Sequence, residues 1–251
     1  MYATIETERG SLKVDLSKPI DISIPLENGK SPVAFGAAPF RAFPYKEGDF
    51  TGALEEGSPV NFYNLHINPH GNGTHTESVL HIDRRGDSIN KTLSTCHFIC
   101  QLITVEPKLN ESGDLVIDEQ SISGCLNLNN DTKALIIRTT PNGDDKKRKN
   151  YTGANPCYFT PGVISLINKT NIDHLLVDLP SIDREQDGGA LVSHKRFWNT
   201  DDNIQLHKTI TEMVYVGDEI RDGTYLLNLQ IISLEYDASP SKPVIYKILE
   251  E

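Results

Sequence analysis

The segment His70-Gly71-Asn72-Gly73-Thr74-His75-Thr76-Glu77-Ser78-Val79-Leu80-His81 packs three imidazoles, one carboxylate and two glycines into a short stretch. Imidazole and carboxylate together suit zinc, manganese or another divalent transition ion. His75 and Glu77 are two residues apart, so an extended chain points both to one side and lets them share a centre. Gly71 and Gly73 open backbone conformations closed to other residues, as a loop wrapped closely round an ion requires. From residue types alone, ordinary polar loop residues hydrogen-bonded in place account for the segment equally well. The sequence has no HExxH pair, nucleophile elbow, phosphate loop or dinucleotide fingerprint, which narrows the field without establishing a metal.

The elements that must position these residues read mostly as strands. Residues 13–16 and 20–24 alternate as half-buried strands do, and Asn28-Gly29 supplies a turn after them. Short apolar runs at 98–105, 134–139 and 174–179 predict buried strands of a central sheet. Residues 223–231 and 243–248 read as strands around the turn-rich 237–240. Thr160-Pro161 predicts the start of a helix running to Ile167, and Ile204, Leu206, Ile210 and Met213 predict another over 203–214. No repeat or low-complexity linker divides the chain, so 1–251 is expected to form a single α/β domain with a mixed sheet.

Composition removes several classes of partner. The formal net charge is -11 with no basic stripe, so nucleic acid and anionic membrane surfaces are repelled on average. Residues 1–16 lack the apolar core of a signal peptide and no stretch is long enough to cross a bilayer, so a cytoplasmic location is the default expectation. Cys96, Cys100, Cys125 and Cys157 are too sparse for a disulfide framework and are expected as buried, reduced thiols. The charge run 144–149 reads as a solvated loop without function.

The histidine segment resembles the signature His-x-Gly-Thr-His-x-Asp-x-Pro-x-His of the metal-dependent cyclase family, which includes bacterial kynurenine formamidases and isatin hydrolases. Gly73-Thr74-His75 and His81 match in register, and 21–26, 177–183 and 237–240 look like further family stretches in the same order. The resemblance implies a compact mixed β/β/α domain that assembles into homo-oligomers, dimers or tetramers. It implies a metal-dependent hydrolase that cleaves an amide, formamide or lactam C–N bond of a small molecule with zinc or manganese. Carried over residue by residue, His75 and Glu77 hold the metal, with His70 as the nearest substitute for the family's first histidine. His81 assists proton transfer, while His194 and Glu212 complete a second metal position, Glu212 also counting as catalytic.

Two positions depart from the signature. Gly71 stands where the family has its first histidine, and Glu77 replaces its aspartate. A loop bulge at Asn72 would return His70 to the ion, and the longer Glu77 would reach a displaced centre. The polar run 199–203 looks like a loop inserted before a last helix carrying Glu212. A member of the same fold that binds metal or ligand without catalysis is the rival reading, and a metal-dependent cyclase or dehydratase is another. Phe35, Phe62, Tyr63, Phe159, Phe197 and Trp198 could wall a pocket, though each by itself is expected in the core.

Overall fold

The computed structural model describes residues 1–249. The chain opens on an antiparallel hairpin, β1 (Tyr2–Thr7) and β2 (Gly10–Asp15). Further on, Arg41–Pro44 and Tyr63–His66 pair as a separate two-stranded ribbon that leaves Phe43, Tyr63 and Leu65 exposed. The site-bearing body follows as β3 (His75–Glu77), β4 (His97–Val105), β5 (Thr132–Thr139), helix α1 (Pro161–Ile167) and β6 (His174–Val177). Helix α2 (Val192–Trp198), β7 (Thr209–Glu212), β8 (Gly223–Ile231) and β9 (Ala238–Leu249) complete it.

Seven strands close on themselves in the order β9-β8-β4-β5-β6-β7-β3, with β3 pairing back onto β9. The run β4-β5-β6-β7 is parallel, and antiparallel pairs make up the rest of the barrel. Closure leaves no barrel strand with an unpaired edge. The chain is thus a single compact domain, mostly β with few helices, and the expected central sheet is a barrel.

The continuous apolar runs exist because these strands are buried on both faces. Leu135, Ile137, Leu175 and Val177 pack with α1 and α2 through Val163, Ile164, Ile167, Phe197 and Trp198. Their alternate neighbours Ala134, Ile136 and Leu176 join Leu102, Leu227 and Ile245 on the other side of the wall. Each fully buried side chain of this kind contributes about 1.5–3 kcal/mol.

Three sequence expectations are corrected here. No helix spans 203–214: Thr209–Glu212 is β7, inserted between β6 and β3, and the short helix lies earlier at Val192–Trp198. Thr209, Ile210 and Thr211 are β-branched and alternate with period two, which suits a strand held on both edges. The thiols are free, but only Cys100 is buried and Cys125 is exposed. The charge run holds a 3-10 turn at Asp144–Lys147, and Lys146 leaves solvent to ion-pair with the buried Asp178 at 2.7 Å.

Candidate metal centre

The centre starts from strand register. His75 lies opposite Glu212 on β7 and Pro240 on β9, while Glu77 lies opposite Ile210 and Ala238. Residues opposed across an antiparallel pair share a face. Ile210 packs in the helix-side core, so His75, Glu77 and Glu212 also face the helices. His75 Nε2 stands 3.4 Å from Glu212 Oε2. Between them, Thr76 faces the other way and shares a 2.8 Å hydroxyl hydrogen bond with Thr211. All three residues of β3 are fully buried.

The loop before β3 explains where the first histidine went. A side chain on Gly71 would collide with Ala37 Cβ and stand 3.2 Å from Ala34 O, so an imidazole has no room there. Gly73 has φ 107°, in the region that favours glycine. Asn72 pins the loop by accepting from Asn68 N–H at 2.8 Å and donating to Ala38 O at 3.0 Å. The imidazole that stands beside Glu77 in this loop is that of His70, whose Nδ1 is 3.1 Å from Glu77 Oε2.

The chain turns after β3 into the 3-10 segment Val79–His81, capped by the Ser78 hydroxyl. This puts the His81 ring on that of His70, with centroids 4.2 Å apart and planes at 30°. His81 Nε2 is 3.9 Å from Glu77 Oε2, further than the His70 nitrogen. On the opposite side, α2 brings His194 Nε2 to 3.2 Å from Glu77 Oε1 and 3.7 Å from Glu212 Oε1. All six residues singled out in the sequence, His70, His75, Glu77, His81, His194 and Glu212, thus converge.

Two carboxylates that the sequence reading did not assign complete the arrangement. Asp183 accepts from His194 Nδ1 at 2.6 Å and from the backbone N–H groups of Ser193 and His194. Asp237 meets His70 Nε2 at 2.9 Å and His81 Nδ1 at 3.2 Å. Both lie in stretches that matched the family, 177–183 and 237–240, which was the signal available. His75 Nδ1 is 2.9 Å from Gly73 O; a carbonyl only accepts, so the ring proton sits on Nδ1 and Nε2 keeps its lone pair.

Charge accumulates in this largely buried site. Burial opposes protonation of His194, yet Asp183, Glu77 and Glu212 outweigh it and push its pKa up to about 10. Burial likewise opposes charge on His70, while Asp237 and Glu77 raise it to about 10. Burial pushes the Glu77 carboxyl up, but the surrounding imidazoles overcome this and hold it well below the usual carboxylate range. So strong a pull on protons marks a place for positive charge.

The donor set fits a divalent ion. His75 Nε2 and both Glu77 oxygens are buried without a hydrogen-bond partner, although ring nitrogens stand 3.1 and 3.2 Å from those oxygens. The contacts are close but misaligned for hydrogen bonds, and a buried carboxylate left so would cost several kcal/mol. Lone pairs converging on one point are what an ion needs. Two overlapping triads, His75/Glu77/Glu212 and His70/Glu77/His81, each bring their ligand atoms within 4.8 Å of one another.

A cleft of about 540 Å³ opens onto His70, His81, His194 and Glu212. Phe35, Ala37 and Leu191 give it an apolar side, and Arg184, Glu185 and Asp187 a polar rim. Of the aromatics considered from sequence, only Phe35 lines it. Phe159, Phe197 and Trp198 are core, and Phe62 and Tyr63 are exposed outside it. Among the described residues no helix is long and apolar enough to cross a membrane.

Residues 14–184 match the Cyclase family model, described as "Putative cyclase". Solved structures share the architecture at low identity. A protein described as a potential metal-dependent hydrolase with cyclase activity superposes with TM-score 0.65 at 16% identity, covering 91% of this chain and 97% of its own. A predicted metal-dependent hydrolase from Bacillus stearothermophilus gives 0.63 at 16%, covering 91% and 98%. Isatin hydrolase A from Labrenzia aggregata, bound to benzyl benzoate, gives 0.62 at 16%, covering 91% and 93%.

Proposed function

Since the chain belongs to the cyclase family, we propose that it is a metal-dependent hydrolase of a small amide, formamide or lactam, cleaving the C–N bond beside the carbonyl. The observation that carries this reading is the set of buried, unpartnered donors, His75 Nε2 and the two Glu77 oxygens, facing Glu212 at the foot of a cleft. His75, Glu77, Glu212 and His194 would hold a divalent ion, with His70 at the outer Glu77 oxygen for a second position. Such an ion supplies Lewis acidity, polarising a carbonyl and making water acidic enough to ionise near neutral pH.

The remaining chemistry falls to the chain. The apolar side of the cleft, Phe35, Ala37 and Leu191, seats the body of the substrate and excludes water from it. His81 stands further from Glu77 than His70 or His194 does and borders the cleft, so it takes the proton from the attacking water. Water oxygen joins the carbonyl carbon, the C–N bond breaks, and His81 returns the proton to the departing nitrogen. The products are a carboxylic acid, which releases its proton to solvent as it ionises, and an amine, or a single amino acid when a lactam opens. With an ion in place, Asp183 would hold the His194 ring proton on Nδ1 and leave Nε2 to the ion.

The same reading includes self-association through the exposed Phe43, Tyr63 and Leu65 of the ribbon, which sedimentation would register as a dimer or larger. The function is tested by metal analysis of the purified protein and by turnover on a panel of aryl formamides and lactams. Bound zinc or manganese with release of a carboxylate supports it. Protein that binds metal and turns over nothing on the panel is instead the non-catalytic member of the fold.

A further inference from the structure

The two stacked rings share one anchor. Asp237 Oδ2 lies 2.9 Å from His70 Nε2 and 3.2 Å from His81 Nδ1, while the opposite nitrogens of both rings face Glu77 Oε2, at 3.1 and 3.9 Å. A carboxylate oxygen accepts and cannot donate. The Asp237 contacts are aligned as hydrogen bonds while those to Glu77 are not, so in each neutral ring the proton lies on the Asp237 side and the far nitrogen turns its lone pair to the centre. We propose that Asp237 is the positioning residue that sets the tautomers of His70 and His81 together, so that ligand and proton carrier are oriented by a single carboxylate.

The fold couples this device to barrel closure. Asp237 immediately precedes β9, whose pairing with β3 places Ala238 opposite Glu77. Ser78 N–H donates to the Asp237 carbonyl at 2.9 Å, fixing the backbone beside the two histidines. The pairing that seals the last gap in the barrel thus delivers the carboxylate, from far along the chain, to the back of both rings. A second cavity, lined by His66, Pro69, Leu80, Tyr236 and Asp237, meets the other faces of His70 and His81 and contains neither His194 nor Glu212. Asp237 therefore works from behind the rings and does not meet the substrate cleft, whose lining omits it.

The inference rests on the reading of His70 as a ligand and His81 as proton carrier, and its test separates the two. Nitrogen-15 NMR of the imidazoles in zinc-loaded protein should show the His81 proton on Nδ1, the less common tautomer, and the His70 proton on Nε2. Asp237→Ala should redistribute the His81 proton, and the His70 proton once zinc is removed, and weaken zinc binding about 10–100-fold, the usual effect of losing an outer carboxylate. It should lower kcat more than it raises KM, because the cleft is untouched. Asp237→Asn can keep an oxygen in place, so it should retain the tautomers and lose less zinc affinity, even if the alanine variant fails to fold. A His81 proton on Nε2 in the wild type, or unchanged tautomers and zinc affinity in a folded Asp237→Ala protein, overturns the assignment. Should the wild type take up no zinc, the functional reading fails, while ring protons of the metal-free protein, brought to the neutral-ring form, still decide the role of Asp237.

Discussion

Asp183 holds His194 twice, accepting from its backbone N–H at 3.0 Å and from its ring Nδ1 at 2.6 Å. The same carboxylate accepts from Ser193 N–H, so it caps the start of α2 and aims the imidazole in one step. Asp183→Ala should cost about 1 kcal/mol through the lost cap and about 10–100-fold in metal affinity through the freed ring. Calorimetric melting and a zinc titration on one preparation measure both. Unaltered metal affinity would confine Asp183 to capping.

Glu77 spans the centre, with Oε1 toward His194 and Oε2 toward His70. Its length matches a ring supplied from position 70 because position 71 has no room for one. Glu77→Asp is expected to weaken metal binding, since the shorter arm withdraws from both sides. Equal or tighter binding would show that the centre lies closer to β3 than the ring positions indicate.

Restoring the family's histidine should not help. Gly71→His would drive a side chain into Ala37 and the Ala34 carbonyl, and overpacking of this kind costs about 1–3 kcal/mol. The expected result is a lower melting temperature with no gain in metal uptake. Stronger uptake at unchanged stability would mean that the loop around Ala34 and Ala37 yields freely.

His81→Ala is expected to keep the ion held by His75, Glu77, Glu212 and His194 and to lose about 10²–10⁴-fold in turnover, as for a missing proton carrier. Metal content and turnover measured together distinguish this from a ligand, whose loss removes both. Full turnover in the folded variant would exclude His81 from proton transfer.

A pH effect is expected away from the centre. His174 is buried at the start of β6, its Nδ1 2.8 Å from Thr209 Oγ1 and its ring against Phe98, and burial lowers its pKa to about 4. The folded value lies below the ordinary value near 6.5, so the unfolded chain takes up the proton first. Stability from the neutral ring is present above pH 6.5 and is lost as pH falls toward 4, by up to about 3 kcal/mol. Denaturant unfolding of His174→Asn and wild type at pH 7 and pH 4.5 should show the wild type losing more. Parallel losses would mean that His174 accepts its proton in the folded state.

The histidine-rich segment of the candidate centre stood out in the sequence by residue type, while His194 and Glu212 were singled out only by the family resemblance. His70, His75, Glu77 and His81 lie within one short segment, and period-two spacing alone places His75 and Glu77 on one face. The apolar runs at 98–105, 134–139 and 174–179 were legible as strands because burial on both faces leaves no polar alternation, although the last strand ends at Val177. Tertiary structure alone decided how distant residues meet. Thr209–Glu212 carries too short an alternation to outweigh the helical spacing around it, and it became a strand because β6 and β3 offer it two partners. Asp183 and Asp237 are ordinary acidic loop residues by type. Their roles arise where α2 docks and where β9 meets β3, since a hydrogen bond depends on which atoms are brought within about 3 Å and separation along the chain has no bearing on that.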